Sequence, residues 1–143
     1  MKLKVTVKSG RKMFDIPERM CEKLLEKGEK ALGECYPNPG KGYAVAVLTS
    51  KGNIYTGASY SSNTETLTMH SEAVALVHAA QHGETEIVAI TGPNCHICKQ
   101  LIWESSLHSR IEVLVVVKEN GKVKQIPISD LMPYPWPDAE GNG

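Results

Sequence analysis

Two short runs hold residue types that can do chemistry together: His70-Ser71-Glu72 and Cys95-His96-Ile97-Cys98. Each is read as opening a helix. Three positions apart on a helix, Cys95 and Cys98 share a face and can grip one ion. His70 would add a third ligand from a different helix. Thiolate and imidazole suit zinc, and three protein ligands leave a fourth position open for water. Helix N-termini favour negative charge, which stabilises thiolates placed there. Residues two apart do not share a helix face, so Glu72 is expected beside the open position rather than on the metal. A carboxylate so placed can carry protons to and from water. This donor set predicts a hydrolytic centre.

Two other uses of the Cys-x-x-Cys run stay open. A thioredoxin-like redox pair also opens a helix after a strand, although His70-Ser71-Glu72 has no place in that chemistry. A closed structural zinc, with His96, His78 or His82 as fourth ligand, would make the chain a binding module without catalysis. Otherwise His78, His82 and His108 are read as structural, and Cys21 and Cys35 as core residues. Haem attachment is excluded because Lys99 follows Cys98.

The elements that must position these residues follow from periodicity. Residues 3 to 7 alternate apolar and polar, which predicts a half-buried edge strand. Asp15 and Glu18 read as a capping box with Pro17 in the first turn, and Gly33 closes that helix. Tyr43 to Thr49 is a continuous apolar, β-branched run, suited to a strand buried on both faces. It turns at Ser50-Lys51-Gly52-Asn53 into a strand from Ile54 to Gly57. Thr68 is a candidate N-cap for a helix with His70 in its first turn, apolar nearly all round and so expected in the interior. A buried strand follows at Ile87 to Ile90, and Asn94 would cap a helix running from Cys95 to about Ser106. Ile111 to Val117 and Val123 to Ile126 are strands joined by an Asn120-Gly121 hairpin turn. This alternation predicts a three-layer α/β/α sandwich around a mixed five-stranded sheet, with an extra N-terminal strand.

The 143 residues are expected to form one domain over 1–137, with a flexible tail at 138–143. Lys plus Arg equals Asp plus Glu at 16 each, so no basic field exists to hold a phosphate backbone, and a nucleic-acid partner is disfavoured. No apolar run approaches the roughly 18 residues that span a membrane. Met1-Lys2-Leu3-Lys4 lacks the apolar core of a secretory signal, and four Cys with two in Cys-x-x-Cys favour metal chemistry over a disulfide framework. A cytoplasmic location is the resulting expectation.

His-x-Glu followed by Pro-x-Cys-x-x-Cys resembles the zinc-dependent cytidine deaminase superfamily. Gly92-Pro93-Asn94-Cys95-His96-Ile97-Cys98-Lys99-Gln100 is similar to the family's Ser-Pro-Cys-Gly-x-Cys-Arg-Gln run. Tyr36 to Gly57 resembles its first strand pair, and Ile128-Ser129-Asp130-Leu131-Met132-Pro133 its closing Leu-Leu-Pro segment. The likeness covers roughly residues 18 to 136. It implies zinc on His70, Cys95 and Cys98, and hydrolysis of a C–N bond in a cyclic amidine. Water activated on zinc attacks the amino-bearing ring carbon while Glu72 shuttles protons. Members with a third Cys in place of the His usually carry Arg after the Glu, and here that position is Ala73.

The resemblance further implies a pyrimidine nucleoside-like substrate, cytidine or deoxycytidine, in nucleoside salvage. A cytosine-containing antibiotic of the blasticidin type is the alternative. The family's sugar-holding Asn and Glu fall at Ser59 and Ser61, whose hydroxyls offer no charge-assisted bond. The aromatic residue that flanks the base near the first strand is replaced by Lys41-Gly42. Tetrameric members end with an aromatic that reaches a neighbouring subunit's site. By that likeness Trp136, in a Pro-rich and therefore extended tail, is expected to roof a neighbour's pocket in a homotetramer.

Overall fold

The computed structural model describes residues 2–92 and 95–143. Its main sheet has five strands in the order β4-β3-β5-β6-β7, with the number of each following its place in the chain. These are β3 (Ala44–Thr49), β4 (Ile54–Ala58), β5 (Ile87–Thr91), β6 (Leu114–Glu119) and β7 (Lys122–Pro127). β5 and β6 run parallel and every other pair is antiparallel, so the sheet is mixed as expected. The turn between β6 and β7 has positive φ at both Asn120 and Gly121, the geometry that suits a two-residue hairpin.

Alternate side chains of the central strands feed two separate cores, which is the origin of the three layers. Ala46, Leu48, Leu114 and Val116 face helix α1 (Glu18–Lys30) together with Cys21 and Leu24. Val45, Val47, Val113 and Val115 face the other way, against Ala75 and Ala79 of α2 (Ser71–Gln81) and Ile102 and Trp103 of α3 (His96–Ser109). A strand buried on both faces must be apolar at every position, and β5 is buried throughout.

The extra N-terminal strand is in fact a hairpin. β1 (Val5–Lys8) pairs with β2 (Arg11–Phe14) as a two-stranded sheet of its own, not as an edge of the main sheet. Its turn, Ser9-Gly10, has positive φ at both residues, and this turn signal is what the alternation of residues 3 to 7 leaves out. The hairpin is tied to the rest of the chain through Lys12, whose N–H donates to Arg110 O at 3.1 Å and whose carbonyl accepts from Glu112 N at 2.7 Å. Asp15 therefore does not cap α1. Its N–H donates to Lys4 O at 2.8 Å, holding the chain extended, and the N-cap is Pro17. Gly33 does not close α1: the helix ends at Lys30 with Ala31 as its C-cap, and Gly33 lies inside the 3₁₀ turn Ala31–Glu34 that follows.

Three further expectations shift. Thr68 does not cap α2. Its hydroxyl accepts from Ser62 N at 3.0 Å and pins the preceding loop, leaving His70 itself at the N-cap. α2 does not run through the interior: it buries Ser71, Glu72, Ala75 and Ala79 along one face and leaves Val77 46% exposed. Small residues on that face let the helix lie close to β4. A side chain at Gly57 would collide with the backbone of Ser71 and Ala75, so this approach, and with it the position of the 70–72 run, depends on glycine. The helix at the second run begins at His96 with Cys95 as its N-cap, while Asn94, the expected cap, lies outside the described residues.

Candidate active site

β3 starts beside the end of its antiparallel neighbour β5, and the N-termini of α2 and α3 lie at that end of the sheet. His70 and Cys95 are both N-caps with extended backbone, at φ −67°, ψ 146° and φ −71°, ψ 126°. An N-cap residue lies just outside the helix, so its side chain is free to turn towards a neighbouring helix start. His70 Nδ1 lies 3.2 Å from Cys98 Sγ and 3.6 Å from Cys95 Sγ. All three candidate donor atoms fall within 4.8 Å of one another, and no other group of three or more His, Cys, Asp or Glu gathers in this way among the described residues. Thiolates and an imidazole on one tetrahedral zinc put sulfur and nitrogen about 3.6 Å apart. The donor set and its spacing fit such an ion.

The two thiols differ in character. Cys95 is held below the ordinary thiol pKa, chiefly by the backbone N–H of Cys98. Cys98 is pushed well above it, first by burial and then by the neighbouring Glu72 carboxyl. Burial and Glu72 thus favour the protonated Cys98 thiol, and an ion held here would have to displace that proton. None of the expected alternative ligands takes part. His96 is not in the cluster, and His78 and His82 lie at the far end of α2. A closed four-ligand cage is not formed by the described residues.

Glu72 is 4% exposed, on the first turn of α2. Ser71 Oγ donates to Glu72 Oε1. Both line a cavity of about 680 Å³, together with His70, Cys95, Tyr43, Ser59 and Ser61. Glu72 is the one carboxylate among the described lining residues. Ser71 is a part of the site that the motif reading passed over, although its place between His70 and Glu72 is the signal for it.

The expected substrate residues are divided. Ser59 and Ser61 line the cavity, but the Ser59 hydroxyl is already engaged. It accepts from Tyr43 N at 3.1 Å and donates to Cys35 Sγ at 3.7 Å, which leaves it one acceptor lone pair and no proton to give. The same pair explains the glycine at 42: a side chain there would strike Ser59 Oγ and approach Cys35 Sγ at 3.1 Å. An aromatic side chain stands one position beyond Lys41-Gly42. Tyr43 lines the cavity wall while remaining 77% exposed. Trp136 does not line this cavity. Its side chain is 67% exposed, and its carbonyl accepts from Gln100 Nε2 at 2.7 Å, which lays the tail along α3.

A family model described as the cytidine and deoxycytidylate deaminase zinc-binding region matches residues 18–117. No curated protein matches the chain. Among solved structures, cytidine deaminase from Burkholderia pseudomallei superposes with a TM-score of 0.67 at 22% identity, covering 80% of this chain and 98% of that one. Cytidine deaminase from Mycobacterium tuberculosis gives a TM-score of 0.65 at 19% identity over 85% of this chain and 98% of that one. The enzyme from Bacillus anthracis gives 0.63 at 18% identity, covering 82% of this chain and 89% of that one. These similarities establish the shared fold, and the match over 18–117 establishes the family: the chain belongs to the cytidine and deoxycytidylate deaminase zinc-binding family.

Proposed function

We propose that this protein is a hydrolytic deaminase that replaces the exocyclic amine of cytidine, deoxycytidine or a related aminopyrimidine with oxygen, releasing ammonia. The observation that carries the reading is the buried Glu72 carboxylate in a cavity wall shared with His70 and Cys95. His70, Cys95 and Cys98 would hold zinc, which when bound supplies a Lewis acid that brings the pKa of water towards ~7. Glu72 accepts the proton of the attacking water, delivers it to the ring nitrogen, and then serves the departing amine. One carboxylate can serve both transfers because it faces the same cavity throughout. Ser71, by donating to Oε1, orients the carboxylate and leaves Oε2 for the moving proton. Tyr43 offers an apolar face to a flat ring, and Ser61 a hydroxyl to a sugar.

The lack of a second carboxylate among the described lining residues supports a second substrate class. A ligand whose sugar is bound by weak neutral contacts, or is replaced by another group, fits this wall as well as ribose does. Cytosine-containing antibiotics of the blasticidin type belong to that class. Measuring ammonia release by the zinc-loaded protein from cytidine, deoxycytidine, cytosine and such an antibiotic tests both readings. Turnover of none of them would overturn the function proposed.

We also infer a homo-oligomer, most simply a tetramer, in which Trp136 reaches a neighbouring cavity. Tyr43, Leu67, Met69 and Ile97 support it: they are exposed apolar side chains on the segments that border the site. Apolar surface gathered around a cavity mouth is a usual mark of an interface.

A further inference from the structure

Two histidines that the catalytic cluster leaves out stand one turn apart at the other end of α2. His78 and His82 are both exposed, and their ring centroids lie 5.2 Å apart. His78 Nδ1 is 2.9 Å from Thr56 O, and His82 Nδ1 is 2.9 Å from His78 O. A carbonyl oxygen can only accept, so in each ring the proton sits on Nδ1 and the Nε2 lone pair is free. An imidazole that donates one ring N–H to a backbone carbonyl is oriented and made more basic at its other nitrogen, the usual support of a metal-binding His. The spacing also fits. Two imidazoles bound through nitrogens at about 2.0–2.1 Å to one tetrahedral ion place their ring centroids roughly 5 Å apart.

The setting keeps the pair in place. The Tyr55 ring packs against both imidazoles, with centroids 5.1 Å from each. The Tyr55 hydroxyl donates to Glu84, whose other partners include Asn53 Nδ2 at 2.8 Å and Thr49. Tyr55 and Glu84 are thus occupied with each other, and the two Nε2 atoms remain the available donors. We propose that His78 and His82 form a second metal site, open to solvent, for a divalent transition ion that prefers imidazole, such as Cu²⁺, Ni²⁺ or Zn²⁺. It is independent of the cluster at the start of α2. Eight to twelve residues of helix separate it from His70, roughly 12–18 Å along the axis. Hard ions that prefer oxygen, such as Mg²⁺, should not bind there.

The test is calorimetric titration of the zinc-loaded protein with Ni²⁺, with zinc content measured afterwards. One further equivalent of nickel should bind without release of zinc. His78→Gln and His82→Gln should each weaken it at least about tenfold, since losing one donor removes the intramolecular second bond, while His108→Gln should leave it unchanged. Nitrogen NMR of the unaltered protein gives a readout that no variant can spoil: the Nε2 signals of His78 and His82 should broaden on adding Cu²⁺ before those of His96 and His108. Absence of a further equivalent, nickel uptake matched by zinc release, or binding that survives His78→Gln with His82→Gln would each overturn the proposal.

Discussion

His70 Nδ1 and Cys98 Sγ lie 3.2 Å apart, although 28 residues separate them in the chain. Such an approach of a helix cap to a buried thiol is what a shared ion needs, and its consequence is measurable. Protein purified without chelators should contain about one zinc per chain, and Cys98→Ala should lose it. Because metal bound only to the native state stabilises by mass action, that variant and chelator-treated protein should both unfold at lower temperature. Metal analysis beside thermal unfolding checks this. A disulfide between Cys95 and Cys98 in the native protein would remove its basis.

Glu72→Gln keeps the volume and the oxygen that accepts from Ser71 but cannot take up a proton. The rate should fall by roughly 10²–10⁴-fold, the usual contribution of a positioned acid or base. Zinc content and unfolding temperature should not change. Steady-state kinetics beside metal analysis separates this outcome from misfolding, and an active Gln variant would exclude the proton role.

What the sequence exposes and what it hides divide along a physical line. His70, Glu72, Cys95 and Cys98 are legible because ligand chemistry restricts residue type and helix geometry restricts spacing. The five strands are legible because β3 and β5 are buried on both faces and so read as apolar runs. Hidden are features set by partners distant in the chain. Asp15 looks like a cap until Lys4 O claims its N–H, and Thr68 looks like one until its hydroxyl accepts from Ser62 N. The commitment of Ser59 to Tyr43 and Cys35 cannot be seen from its alignment with a sugar-binding position. Local propensity predicts local structure, and tertiary hydrogen bonds then override it.

Arg11 and Glu112 form a buried pair at 3.2 Å, with side chains 4% and 0% exposed. Glu112 also accepts from Ser129 N at 3.0 Å, and Arg11 donates to Ala139 O at 3.3 Å and stacks over Trp103 at 4.8 Å. The pair thereby joins the N-terminal hairpin to the C-terminal segment. Glu112→Ala leaves a buried guanidinium without its countercharge and should cost about 3–5 kcal/mol. Replacing both by apolar residues, Arg11→Met with Glu112→Leu, should cost much less than the single change. Denaturant unfolding of the three variants would show it, and equal losses in the single and double variants would contradict it.

Cys21 is buried on the face of α1 that packs on the sheet, and its thiol is pushed up from 9.0 to about 11, by burial first and then by Glu18 and Glu22. The protonated form is therefore favoured in the folded state. Its contribution to stability is fully present below the unfolded value near 9 and is lost as pH rises through about 11. Cys21 should resist alkylation in native protein at about pH 8 and react at once after unfolding, because the thiolate is the nucleophile. Mass spectrometry of alkylated peptides would detect the difference. Equal labelling in both states would contradict it.

Trp136 sets apart the two roles that the C-terminal segment can have. Deleting residues 134 to 143 would remove Pro137 O, which accepts from Trp103 Nε1 at 2.8 Å, and Ala139 O, which serves Arg11. That deletion would damage the core as well as any interface. Trp136→Ala is the cleaner change, since the side chain is 67% exposed and the bond from Gln100 goes to its backbone oxygen. If Trp136 roofs a neighbouring cavity, its loss should raise KM about tenfold or more, as truncating a buried aromatic anchor costs roughly 2 kcal/mol. Zinc content and unfolding temperature should stay as they were. Light scattering should report an oligomer at working concentration for the unaltered chain. A monomer, or an unchanged KM in the variant, would overturn the shared-site reading and leave Trp136 as a surface residue of a tail held by its backbone.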